Sequence, residues 1–89
     1  MASVHLDGML REFVRVRNVD LPASDVRSLL LELEHRYPRL TGKIRDETGQ
    51  IRRFVRVFVN GDDVAGLKGL DTAVGANDQV DILHSIAGG

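Results

Sequence analysis

Arg53-Phe54-Val55-Arg56-Val57-Phe58-Val59-Asn60-Gly61 is the stretch that decides the fold. Its apolar residues recur at every second position, the period of a half-buried strand. Val55, Val57 and Val59 share one face, while Phe54, Arg56 and Phe58 share the other. The β-branched face suits packing against a second layer. Asn60-Gly61 tolerates positive φ and signals a tight turn after the strand. A strand over 53–59 is therefore expected, with two phenylalanines flanking an arginine on its more exposed face.

Upstream, residues 25–37 predict the main helix. Val26, Leu29, Leu30, Leu33 and Tyr37 form an apolar stripe at helical spacing. Ser24 or Asp25 supplies the N-cap. His35 and Arg36 place positive charge in the last turn, and Pro38 stops the helix. Leu31 lies off the stripe and is expected to be partly exposed.

Before the helix, Ala2-Ser3-Val4-His5-Leu6 alternates as a first strand, followed by a turn at Asp7-Gly8. Residues 13–21 are mixed. Val14 and Val16 share one phase of a period-2 pattern; Val19 and Leu21 share the other. A flat strand cannot satisfy both. Either a bulge lies near Arg17-Asn18 or the strand proper is Asn18–Leu21, with an irregular lead-in. Pro22 closes it.

Residues 39–52 are polar, with isolated apolar side chains at Leu40, Ile44 and Ile51. Residues 62–78 read as a loop-rich crossover. The acidic pairs Asp46-Glu47 and Asp62-Asp63 are expected in loops, as solvated turn formers. Gln79–His84 forms the last strand, Val80 and Ile82 inward and Leu83 outward. The order strand, strand, helix, strand, strand specifies an α+β fold, with one helix crossing one face of a mixed sheet of four to five strands. The first and last strands can pair in parallel at the sheet centre.

Eighty-nine residues make a single domain over 1–89. A chain of this size buries about 60–65% of its unfolded surface, so its core is modest. Twelve basic residues against 13 acidic ones give a net charge of −1, unlike the strongly basic balance of a nucleic-acid binder. No apolar run approaches a membrane span and no signal peptide is evident, so no membrane partner and a cytoplasmic location are expected. With no cysteine, a disulfide framework, a thiolate metal site and a cysteine nucleophile are excluded.

The three histidines, His5, His35 and His84, fall on different elements without metal-ligand spacing. No metal site, catalytic constellation or phosphate loop is expected, so the chain reads as a non-enzyme. Its own end offers chemistry instead: Ile86-Ala87-Gly88-Gly89 closes the sequence. Glycine carries no Cβ, so an extended Gly-Gly end fits a cleft too narrow for any side chain. Residues from about 85 to 89 are expected to form a flexible tail whose reactive group is the carboxylate of Gly89. The alternative is a frayed end where glycines are tolerated.

Arg36-Tyr37-Pro38, Phe54 through Val64, Gly69-Leu70-Asp71-Thr72, Asp78 through Leu83 and Ala87-Gly88-Gly89 together carry a resemblance. The chain resembles the MoaD/ThiS family of sulfur carrier proteins, which have the ubiquitin-like β-grasp fold. Within that family it looks most similar to the carriers for cysteine biosynthesis and less like the molybdopterin synthase small subunit. Many relatives end Leu-Pro-Ala-Val-Ala-Gly-Gly; His84 here replaces that proline.

The resemblance implies an E1-like adenylating and sulfurtransferase partner that uses ATP and Mg to make an acyl-adenylate on Gly89. Sulfur transfer then leaves a thiocarboxylate for a downstream biosynthetic enzyme. No cofactor would be bound by the carrier itself. The resemblance places partner contacts at Phe58 and Leu83, with Phe54 and Arg56 close by, and at Ile86, Ala87 and Gly88 of the tail. Aromatic side chains beside an arginine also have the composition of an interface hot spot. A different reading has the phenylalanines covered by residues 39–52. His84 lies near the tail and could touch a partner. Conjugation of Gly89 to lysines, or a non-covalent module with an incidental tail, are the competing functions.

Overall fold

The structure is a computed structural model and describes residues 1–84. Five strands form one mixed sheet: β1 (Ala2–Gly8), β2 (Asn18–Leu21), β3 (Val55–Val59), β4 (Asp62–Asp63) and β5 (Gln79–His84). The spatial order is β2-β1-β5-β3-β4. β1 and β5 run parallel at the centre, with Val4 beside Val80 and Leu6 beside Ile82. The flanking pairs β1–β2, β3–β5 and β3–β4 are antiparallel. One helix, α1 (Val26–Arg36), covers the inner face. This is the expected α+β architecture, the β-grasp fold.

Its helix begins where the side chains can cap it. Asp25 accepts from the backbone N–H of Ser28 (2.7 Å), and the Ser28 hydroxyl accepts in return from the Asp25 N–H (3.2 Å). Asp25, rather than Ser24, is therefore the N-cap. Val26, Leu29, Leu30 and Leu33 are fully buried, while Leu31 stands 50% exposed, as the stripe predicts. Val55, Val57 and Val59 meet this layer from β3.

The phase conflict in 13–21 resolves as a short strand. β2 is only Asn18–Leu21, and a 3-10 turn over Met9–Glu12 precedes it. Leu10 and Val14 fall into the core from this irregular segment. The Leu6 N–H donates to the Arg17 carbonyl (2.8 Å), which anchors the lead-in against β1.

Two expectations need correction, and one burial was not foreseen. β3 starts at Val55, so Phe54 is not on the strand. The Val55 N–H donates to the Arg52 carbonyl (3.0 Å), and this turn bends the chain just before the pair of Val55 with His84. Asp62 and Asp63 are not loop residues: they pair with Val59 and Phe58 as β4. Asn60 (φ 51°) and Gly61 (φ 89°) form the positive-φ turn that brings them back onto β3. Finally, Leu40 and Ile44 are fully buried, as the polar stretch around them did not announce.

Two segments outside the sheet complete the core. The Val26 N–H donates to the Thr72 carbonyl and the Val74 N–H to the Ser24 carbonyl, both at 3.0 Å, so residues 72–74 seal the start of α1. On the other flank, the Arg45 guanidinium grips Glu34 with two bonds (2.7 and 3.0 Å), and both side chains are about 85% buried (15% and 13% exposed). That fork holds the 38–52 excursion onto the helix.

Candidate functional site

β5 is the central strand, held on both sides, and it carries the chain to residue 84. The start of β5 is fixed by a network on the Asn60-Gly61 turn. The Gln79 N–H donates to Asn60 Oδ1 (3.0 Å), and Asn60 Nδ2 donates to Asp78 Oδ1 (3.0 Å). Asp78 also accepts from the Gly75 N–H (2.7 Å). That backbone bond, then the Asn60 amide, holds its carboxyl below the usual aspartate range.

At the other end, Gly8 stands opposite His84. Gly8 has φ 66° and ψ −142°, a region closed to residues with a Cβ. A Cβ there would lie 2.4 Å from the His84 carbonyl oxygen. Glycine is thus required for β1 to close against the end of β5. His84 itself shares the inner face with Val80 and Ile82, half-buried, and its Nδ1 is buried without a hydrogen-bond partner among the described residues.

The outer face of the sheet brings together part of the expected patch. Arg56 sits directly opposite Leu83, and Phe58 opposite Asp81. Phe58 and Leu83 are therefore diagonal neighbours, both half-buried, and Arg56 is exposed. Phe54 is half-buried in the turn before β3 rather than on this face of the strand. The surroundings are more acidic than the strand pattern implied. Asp63 lies opposite Phe58 from β4, Asp7 beside Leu83 from β1, and Asp81 beside His5. Arg56 reaches Asp63 at 3.9 Å. His5 is occupied locally, its Nδ1 lying 2.9 Å from Asn18 Oδ1. Phe58 and Leu83 thus form an apolar spot in an acidic field.

Ile86, Ala87, Gly88 and Gly89, the tail residues expected to carry the chemistry, lie outside the described residues. Among the described residues no group of His, Cys, Asp or Glu could hold a metal ion. None of their helices is long and apolar enough to cross a membrane. Arg11, Arg15 and Arg17 gather beside the end of β5, a cluster that no periodic pattern in the sequence announces. Its only signal was three arginines in seven residues of a segment without a period.

A family model describing the ThiS family matches residues 4–89, nearly the whole chain. The chain belongs to the ThiS family. This ThiS-family chain is 32% identical over 75 residues to the sulfur carrier protein CysO of Mycobacterium tuberculosis, covering 82% of this chain and 81% of that one. It is 34% identical over 64 residues to small archaeal modifier protein 3 of Haloferax volcanii, covering 72% and 68%. Its fold superposes on a chain of the Amycolatopsis orientalis BexX/CysO complex with TM-score 0.88, 27% identity and full coverage of both. These relatives of the ThiS-family chain are a sulfur carrier protein and a small modifier protein.

Proposed function

We propose that this chain is a sulfur carrier, loaded at the carboxylate of Gly89 by a partner enzyme. The observation that carries this reading is the family match, which runs through residue 89 and so includes Ala87-Gly88-Gly89. The firmly paired central strand that leads to those residues is consistent with it.

An α-carboxyl has a pKa near about 3.5, so Gly89 is ionised at neutral pH and a poor electrophile. Attack of this carboxylate on the α-phosphorus of Mg-ATP, in the partner's site, forms the acyl-adenylate and releases pyrophosphate. A persulfide on a partner then attacks the acyl carbon; the C–S bond forms as the C–O bond to AMP breaks. Thiol reduction of the acyl disulfide leaves the Gly89 thiocarboxylate. A cysteine-free chain offers no internal thiol to intercept the activated acyl group. The sheet face around Phe58, Leu83 and Arg56 provides recognition, since apolar spots on a polar surface mark contact sites. The likeness to the CysO carrier favours a cysteine-forming enzyme as the sulfur acceptor.

Intact-mass analysis after incubation with an adenylating enzyme of this family, Mg-ATP and a sulfur donor tests the reading. The expected gain is the mass difference between sulfur and oxygen, lost in a chain lacking Gly89. An unchanged mass under conditions that load a related carrier would refute it. The archaeal modifier relative favours a second reading, conjugation of Gly89 to lysines. Blots of cell extracts showing larger species that vanish on deleting Gly89 would select it.

A further inference from the structure

Six of the ten arginine side chains in this protein have a partner among the described residues. Arg27 pairs with Asp71, Arg36 with Glu32, Arg45 with Glu34 and Arg56 with Asp63. Arg52 donates to the Gly42 carbonyl, and Arg53 lies over the Phe54 ring. Of the seven arginines outside residues 11–17, only Arg39 has no such contact among the described residues.

Arg11, Arg15 and Arg17 break this habit together. All three are exposed, and none of their guanidinium groups has a hydrogen-bond or ion-pair partner among the described residues. They line one hollow of about 410 Å³, with Asp7 and Gly8 at its edge. Asp7 lines the hollow as well, but its carboxylate accepts from the Gly8 N–H (2.8 Å) and forms no ion pair with the three arginines. Glu12 shares the hollow and forms no ion pair among the described residues. The segment's irregular path, imposed by burying Leu10 and Val14, turns the three arginines outward together.

Position gives the cluster its meaning. Gly8 pairs with His84, so the hollow adjoins the end of β5. We propose that this hollow seats an acidic segment, aspartate or glutamate carboxylates, on the enzyme that grips residues 85–89. The proposal rests on the carrier reading above. Five residues span at most about 17 Å when extended. A nucleotide reacting at Gly89, with the tail drawn into a narrow cleft, stands at the far end of that span. The hollow instead meets the rim of the cleft, where protein surface surrounds the base of the tail. Planar guanidinium forks bind carboxylates with two parallel hydrogen bonds, and unpaired ones give up no existing bond to do so.

The test uses the full chain, wild type and the Arg11→Gln/Arg15→Gln/Arg17→Gln variant, with Arg39→Gln as the control for lost charge elsewhere. Because the three guanidiniums have no hydrogen-bond or ion-pair partner among the described residues, the variant's amide spectrum should stay dispersed and folded. Loading at Gly89 is followed by intact mass across carrier concentration and ionic strength. The triple variant should lower kcat/KM about tenfold through KM, with kcat unchanged, and flatten the salt dependence, within the range of electrostatic steering. Wild-type kinetics in the triple variant would overturn the proposal and leave the carrier reading standing. If wild type does not load, the carrier reading fails and a second titration decides. Hexaglutamate should then shift the amides of 11–17 saturably in wild type and not in the variant. No shift, or a stronger response to tripolyphosphate, would overturn the acidic-segment assignment.

Discussion

Replacing Gly8 by alanine should loosen the point where β1 closes on the end of β5. Two costs act there. The backbone at φ 66°, ψ −142° must be held by a residue with a Cβ, at about 1–3 kcal/mol. The new methyl would also sit 2.4 Å from the His84 carbonyl oxygen and 3.0 Å from Leu83 Cδ1. Relieving that overlap displaces backbone, at about 1–3 kcal/mol more. A total loss of about 2–6 kcal/mol is expected, against about 4–13 kcal/mol of stability for a domain this size, at roughly 0.05–0.15 kcal/mol per residue. Gly42→Ala separates the two costs, because Gly42 has φ 81° but nothing within 4 Å of its added Cβ. Urea unfolding of both variants gives the comparison through the midpoint at constant m-value. Gly8→Ala should be the worse by about 1–3 kcal/mol, the overlap alone. Equal midpoints for the two variants would refute the claim that Gly8 is required by the approach of the His84 carbonyl.

Leu40→Ala should cost about 2–5 kcal/mol in the same unfolding assay, because its side chain is fully buried although its neighbours are polar. Removing one partner of the Arg45–Glu34 fork, by Arg45→Gln, should cost about 1–3 kcal/mol, and a double-mutant cycle with Glu34→Gln should show coupling. Acid should destabilise the fold through Asp25, Asp46 and Asp78, whose carboxyls are held below the ordinary value of 3.8 chiefly by backbone N–H bonds at Asp25 and Asp78 and by the Thr48 hydroxyl at Asp46. A folded-state value below the unfolded one gives stability that is complete above the unfolded value and disappears as pH falls through the folded one. Thermal midpoints should therefore drop as pH is lowered below about 4–5, and Asp78→Asn should make that drop shallower. A drop of unchanged steepness in Asp78→Asn would count against its contribution.

Local chemistry made much of this protein legible in one dimension. The Leu29–Leu33 stripe, a cap at Ser24 or Asp25, the Val55-Val57-Val59 alternation and the Asn60-Gly61 turn each depend on neighbours within a few residues. Their pattern therefore survives in the bare sequence, and with it the order of the helix and the four longer strands, and the family. That order left room for the first and last strands to pair in parallel at the centre, and β1 and β5 do so.

What the sequence could not decide was every feature set by residues far apart in the chain. Leu10, Leu40, Ile44, Val64 and Val74 are buried because distant segments fold over them, with no period of their own to announce it. Asp62-Asp63 became a strand because Phe58 and Val59 offered an edge, and Phe54 left its strand because the Arg52–Val55 turn intervened. The gathering of Arg11, Arg15 and Arg17 beside the Gly8–His84 closure belongs to the same class. Periodicity records which face a residue prefers; only three-dimensional packing decides what that face meets.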